Sequence, residues 1–435
     1  MRVAFFEDRQ ALEFGPIAQL RPVFELVCGH FSVRERAIRC LRVTEWGGFV
    51  RDFLGESYRE LHPEAHVNDS DWLEQGPTLF INGGWIAPAE ALAQIDPQTV
   101  GLVDGAVVHV TVEAAEAGLF EDEPWESAIY QIARTRRRVP APGKLLSYPW
   151  QLVVHNAEQI ANDFAARSST KGWTPENAQL GHAQVALIGS SDRVAIDRAA
   201  RVDPFVVLDA THGPISIDAG AVIQSFTRLE GPCHIGIGAQ LFRANIRKGT
   251  TIGPACCVGG EIEASILHSH VNKYHEGFLG HSYLCPWVNL GALSTSSDLK
   301  NDYSTVRVPL SGKSVDSGMV KVGCFIGDHA KTGLGSLFNT GSSIGVMCMI
   351  LPGGELLPKH MPSFTAVWHG ELADAMPLER SLAAARIAMQ RRNVELTDAQ
   401  ERLLRWIHSA TQSERDEAIL RFQEKRGRSA ASSAS

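Results

Sequence analysis

The residue with the plainest capacity for chemistry is His281, set directly behind Gly280. An imidazole ionises at about pH 6.5, so it can take and give a proton near neutrality. Around it, residues 277–310 read GFLGHSYLCPWVNLGALSTSSDLKNDYSTVRVPL, in which Phe278, Leu284 and Leu290 recur at every sixth position. The beat then lapses into a polar run, Ser294–Val315, carrying Lys300, Asn301 and Tyr303, groups suited to phosphate or sugar contacts. A regular scaffold that delivers a histidine beside an irregular polar excursion is a common way to build an enzyme site. His275, six residues earlier, is the second candidate base. The eight cysteines are scattered without a CxxC pair, and Cys256 and Cys257 are adjacent. That usage fits reduced, mostly buried thiols in a cytosolic protein, and no metal ligands can be named from it.

The scaffold that must position these groups follows from the same beat. Ile196, Val202 and Leu208 are six apart, and after a slip so are Ile217, Ile223, Leu229, Ile235 and Leu241. Ile246, Ile252 and Val258 continue it, and Val320, Ile326, Thr332, Phe338, Ile344, Ile350 and Leu356 resume it later. Neither a helix nor a two-residue strand alternation produces a period of six. A coil of three flat faces does, each face a short strand plus a corner, with about eighteen residues per coil. One coil cannot bury its own inner side chains, so coils stack into a prism. The expectation is a hexapeptide-repeat parallel β-helix over 181–368.

Residues 1–180 read as an α/β domain. Arg2–Phe6, Pro77–Ile81 and Val107–Val112 look like buried strands, and Trp46–Leu61 and Asn156–Ala166 carry helical spacing. Such alternation predicts a largely parallel sheet covered on both faces. Residues 369–435 revert to helix, with a capping box at Thr397-Asp398-Ala399-Gln400 and a small, polar, disordered tail from Arg428. The formal net charge of -8 argues against nucleic acid as a partner. No apolar run is long enough to span a membrane, and Glu7 and Asp8 come too early for a secretory signal.

Several motifs carry a family resemblance: Gly277-Phe278-Leu279-Gly280-His281-Ser282-Tyr283, Asn289-Leu290-Gly291-Ala292 and Ser297-Asp298-Leu299-Lys300-Asn301-Asp302-Tyr303. Arg21-Pro22-Val23-Phe24-Glu25-Leu26 and Tyr148-Pro149-Trp150 add to them. Over about 1–368 the chain resembles the bifunctional enzymes of UDP-N-acetylglucosamine synthesis, a uridylyltransferase fused to a glucosamine-1-phosphate N-acetyltransferase. The likeness is to a divergent bacterial branch of sugar nucleotidyltransferases. It implies a left-handed prism, a homotrimer, and acetyl-CoA as acyl donor to a hexosamine 1-phosphate. It casts His281 as general base and Arg243, Lys273, Tyr283 and Asn289 as sugar-phosphate contacts. Ala292, Gly327, Asp328 and Gly345 would line the CoA groove. In the first domain Arg21 would stand for a phosphate-binding lysine, with Asn82 and Gly83 at the nucleotide, and Mg2+ would assist transfer from UTP or dTTP.

The first domain departs from that pattern. No glycine-rich loop follows Val3–Phe6, and Asn82-Gly83-Gly84 has glycine where the family places a metal-binding aspartate. Asp8 or Asp104 could supply the carboxylate instead. Two rival readings stay open: a nucleotidyltransferase whose prism is purely structural, and a non-catalytic sugar-nucleotide-binding scaffold.

Overall fold

The computed structural model describes residues 1–168, 184–373 and 376–433. A seven-stranded sheet forms the first part, with Arg2–Phe6 paired in parallel to Glu45–Phe49 on one side and Thr78–Asn82 on the other. Ala106–Val112 runs antiparallel to both Thr78–Asn82 and Thr99–Val103, so the sheet is mixed but mostly parallel. The expected helix over Trp46–Leu61 is half strand: Glu45–Phe49 joins the sheet and the helix spans Asp52–Leu61. Gly47 and Gly48 favour that division. A Cβ on Gly47 would press on Trp72 and His66, so the close approach needs glycine, which also weakens any helix. A long helix, Pro149–Ser168, then leads to the prism.

The prism is built of parallel strands stacked coil on coil. Ile266–Leu267 pairs with Tyr283–Leu284, which pairs with Phe325–Ile326, which pairs with Ser343–Ile344. Inward residues such as Ile235, Leu241, Ile252, Leu284 and Ile344 are fully buried in one continuous core. Each such side chain contributes about 1.5–3 kcal/mol of hydrophobic stabilisation before entropy is counted. The beat fails at three expected positions. Phe278 turns outward and Leu279 takes the core place; Val320 belongs to an insertion; and Leu356 is exposed while Leu357 is buried. Gly277 and the Gly353-Gly354 pair lie just before two of these one-residue slips.

Three edges separate the faces, and residues in the left-handed conformation mark each. One edge carries Ala264 (φ 43°) and His281 (φ 47°). The next carries His270 (φ 53°), Trp287 (φ 66°) and His329 (φ 59°), and the third carries Phe226 (φ 67°), Arg243 (φ 43°) and Leu293 (φ 64°). The face between the His281 and Trp287 edges is covered by the first domain: Ile266, Tyr283 and Phe325 share a core with Phe14, Ile17, Val23 and Trp150. The face between the Trp287 and Arg243 edges bears Asn272, Asn289 and Lys331 on successive coils. The third face, between the Arg243 and His281 edges, presents the partly exposed Glu261, Phe278 and Thr295.

The polar excursion leaves the prism later than expected. Thr295–Ser296 is still a prism strand, paired with Leu337–Phe338, and the chain departs only after it. It returns at Val322, whose N–H donates to the Asp298 carbonyl at 2.8 Å. Within it, Arg307–Leu310 and Lys313–Asp316 form an antiparallel hairpin. Val306, Val308 and Leu310 are buried in the core shared with the first domain, so the hairpin folds onto its own chain.

The helices Leu378–Gln390, Asp398–Ala410 and Gln412–Ser433 close the structure. Thr397 and Gln400 form the expected reciprocal cap, each side chain accepting from the other's N–H at 3.2 Å. Trp406 stacks on Phe53 at 4.1 Å, tying the last helices back to the first domain. The tail is not irregular from Arg428: the last helix runs to Ser433, and the final two residues lie outside the described ones. Its Glu, Lys, Arg and Ala are strong helix formers that extend a helix already nucleated. Among the described residues no helix is long and apolar enough to cross a membrane.

Candidate functional site

His281 occupies an edge because its backbone is caught between coils: its N–H donates to the Glu263 carbonyl at 3.0 Å, and its carbonyl accepts from Gly323 at 2.9 Å. Its side chain is about one-fifth exposed, and Nδ1 lies 2.7 Å from Oδ2 of the largely buried Asp298. A hydrogen bond from Nδ1–H to that carboxylate fixes the tautomer and leaves Nε2 with the lone pair, the arrangement of an oriented general base. Burial works against the Asp298 charge, but the hydrogen bond with His281 and the positive charge nearby, Lys321 included, outweigh it and hold the carboxyl below its usual range. Gly280 makes the pair possible, since a Cβ there would collide with Asp298 Oδ2 and the Phe278 ring. Lys321 Nζ lies 3.7 Å from Glu263, and Arg247 is 3.0 Å from that same carboxylate, so the edge is strongly charged.

The structure leaves some expected residues at or near the surface and draws others into internal contacts. Arg243 sits exposed on the third edge, its guanidinium 4.9 Å over the Phe242 ring, and flanks the same open face as His281. Ala292 lies on that third edge too, beside Leu293. Asn301 and Tyr303 are exposed in the excursion, whereas Lys300 is tied within it, donating to the Thr305 carbonyl at 2.6 Å.

Lys273 does not reach the surface. It points into the prism and donates to the carbonyls of Gly259 and His275, both at 2.8 Å, and burial pushes its ammonium down to about 8. Tyr283 is likewise no sugar contact in this chain: it is fully buried under the first domain, and its hydroxyl accepts the Val27 N–H at 3.0 Å. Asn289 lies on the face across the prism from the His281 edge, bonded to Asn272 at 2.5 Å. The expected CoA set is divided. Gly327, Asp328 and Gly345 lie by the Trp287 edge against the first domain, away from Ala292. There, Cβ atoms on Gly327 and Gly345 would strike the next coil, so coil stacking accounts for both glycines.

The nucleotide set is also engaged internally. Arg21 pairs with Asp328 through both Nη atoms, one bond at 3.1 Å, so it clamps the first domain to the prism rather than facing a triphosphate. Asn82 donates to Asp8 at 2.9 Å and to the Val107 carbonyl, and accepts the Gly84 N–H. Gly83 lies under Phe24, which a Cβ would meet. At the ends of the central strands, where the glycine-rich loop was missing, buried Glu7 binds Arg51 at 3.1 Å and accepts the Val23 N–H at 2.9 Å. Asp8 is partly exposed at this mouth and caps the turn Arg9–Phe14, while Asp104 is on an exposed hairpin tip. No group of three or more His, Cys, Asp or Glu able to hold a metal occurs among the described residues.

Sequence reasoning passed over Asp298 as a functional group, although it follows His281 by one coil and opens the excursion. It also missed the Glu7–Arg51 pair. Neither carries a local periodic signal, because each partnership spans separate elements.

Residues 3–171 match the family model described as sugar nucleotidyl transferase. A bifunctional sugar-1-phosphate nucleotidylyltransferase/acetyltransferase from Sulfurisphaera tokodaii is 33% identical over 93 residues, 21% of this chain and 23% of the relative. The bifunctional protein GlmU of Methanocaldococcus jannaschii is 31% identical over 109 residues, 25% of this chain and 26% of its own. The chain therefore spans about a quarter of the length of these curated relatives. Among solved structures, an Arabidopsis UDP-N-acetylglucosamine acyltransferase aligns over 49% of this chain and 79% of its own. Its 11% identity and TM-score of 0.20 make a likeness too slight to bear on fold or function.

Proposed function

We propose that this chain is a cytoplasmic transferase of sugar-nucleotide biosynthesis, in which the His281 edge of the prism N-acetylates a hexosamine 1-phosphate from acetyl-CoA. The observation that carries the proposal is the His281–Asp298 pair on an exposed, charged edge. The amine nitrogen of the acceptor attacks the thioester carbonyl, forming the C–N bond. Nε2 of His281 takes the proton the nitrogen must shed, the C–S bond breaks, and the imidazolium returns that proton to the departing thiolate. Arg243 and the exposed Asn301 and Tyr303 are the groups we assign to the acceptor's phosphate and hydroxyls, and Ala292 to the pantetheine arm. His281 and Arg243 lie at opposite borders of one open face, so the site is completed when neighbouring prisms meet there as a trimer. Release of free thiol from acetyl-CoA, dependent on an amino-sugar 1-phosphate, tests the reading; a chain that acylates none of these acceptors overturns it. Light scattering that finds only monomer refutes the part of it that needs neighbours.

The match of residues 3–171 favours a second activity, nucleotidyl transfer from UTP or dTTP to a sugar 1-phosphate. Mg2+, if bound there, would neutralise phosphate charge, and such an ion is commonly held by one or two carboxylates plus the substrate phosphates themselves. Asp8, partly exposed at the strand ends, is the residue we assign to hold it. Its carboxylate stays oriented by the Gln10 N–H at 3.0 Å and by Asn82.

A further inference from the structure

Between the Asn289 face and the end of helix Leu378–Gln390 lies a cavity of about 470 Å3. One wall is a ladder of outward side chains, Asn272, Asn289 and Lys331, on three successive coils joined by parallel bridges. The other wall is Arg391 and Arg392, just past the helix. No acidic residue lines the cavity among the described residues. Among the described residues Lys331 Nζ finds only the His329 carbonyl, at 3.4 Å, and Arg392 donates to Cys257 Sγ at 3.0 Å.

Three cations therefore face one cavity with no counter-charge. The arginines alone would be unremarked, because a helix C-terminus favours basic side chains. Lys331 has no such reason to be there. It is half-buried, burial pushes its ammonium down, and the next rung of the same ladder is Met349, which serves the coil without a charge. Polar and cationic groups are thus concentrated on the coils that border the cavity. Trp287 already stacks on His270 at 4.2 Å and lies near-parallel to His329 at 6.0 Å, and the recognition argued here rests on charge.

We infer that this cavity is a binding site for the diphosphate group of a small molecule, gripped between Lys331 on the prism and Arg391 and Arg392 on the C-terminal helices. A single phosphate brings about -1.5 to -2 charges, fewer than the three cations offer, and charge-assisted bonds from two opposed walls suit two linked phosphoryl groups. The site lies across the prism from the His281 edge and is independent of the acyl-transfer reading, because its test needs no turnover.

Titration calorimetry of the full chain with inorganic pyrophosphate, orthophosphate and UDP tests it. Pyrophosphate is expected to bind more tightly than orthophosphate, with affinity falling as salt rises. Lys331→Met and the double variant Arg391→Ala/Arg392→Ala should each weaken it by about tenfold or more. Ligand-free Lys331→Met should melt at or above the wild-type temperature, since an uncompensated charge is removed, and should lose the pyrophosphate-induced rise in melting temperature. UDP bound through these same residues identifies a nucleotide as the source of the diphosphate; pyrophosphate binding without UDP binding identifies the free anion. No binding by wild type, wild-type affinity in the variants, or equal affinity for orthophosphate overturns the inference. The exposed arginine pair keeps the test decisive if Lys331→Met fails to fold.

Discussion

At the scale of residues, the proposed chemistry rests on one imidazole held by one carboxylate. In that proposal Asp298 touches no reacting atom and positions His281, so its removal should act through tautomer and orientation. Asp298→Asn is expected to lower kcat for acyl transfer by about 10–100-fold with little change in KM, and to shift the acid limb of the pH profile. Unchanged kcat with an unchanged pH profile would show that the 2.7 Å contact is merely structural. Of this pair only the histidine could be read from the sequence. The structure adds that Gly280, just before it, admits the Asp298 carboxylate. Lys273 and Tyr283 were misread for a related reason. The family resemblance cast both as substrate contacts, yet stacking turned one into the prism and the other under the first domain. Sequence spacing gives the coil on which a residue sits, but inward or outward direction depends on one-residue slips at corners.

Among elements, the six-residue beat revealed the prism because period, burial and corner chemistry all agree there. Contacts between elements carried no such signal, and the Arg21–Asp328 pair is the clearest case. The residues lie on different domains, their side chains 14% and 3% exposed, and were assigned to two different ligands from sequence. Removing one partner of a buried pair strands the other charge. Arg21→Ala should therefore destabilise the chain by about 3–5 kcal/mol rather than act on nucleotide turnover alone. Arg21→Met combined with Asp328→Leu should recover much of that loss, because neither charge is then left unpaired. A thermal or urea melt of Arg21→Ala matching wild type would mean that the pair does not hold the domains together. The excursion is a similar case. Its polar composition marked it as leaving the prism, but the alternation of Val306, Val308 and Leu310, which builds the hairpin against its own chain, went unread.

In the molecule as a whole, the first domain covers one face of the prism and the C-terminal helices border a second; the face between the His281 and Arg243 edges is the one our proposal gives to neighbouring chains. Composition and period were enough to separate an α/β part from a prism and from terminal helices. They could not tell which face each part would cover, because that depends on outward side chains with no period. The account stands or falls on His281. Formation of N-acetylated product from acetyl-CoA and a hexosamine 1-phosphate should be compared for wild type and His281→Ala, with melting temperatures taken on the same samples. Wild type should turn over, the variant should lose about a hundredfold or more, and the melting temperatures should be nearly equal, since the partly exposed edge side chain contributes little packing. Full acyl transfer by a stably folded His281→Ala chain would contradict this.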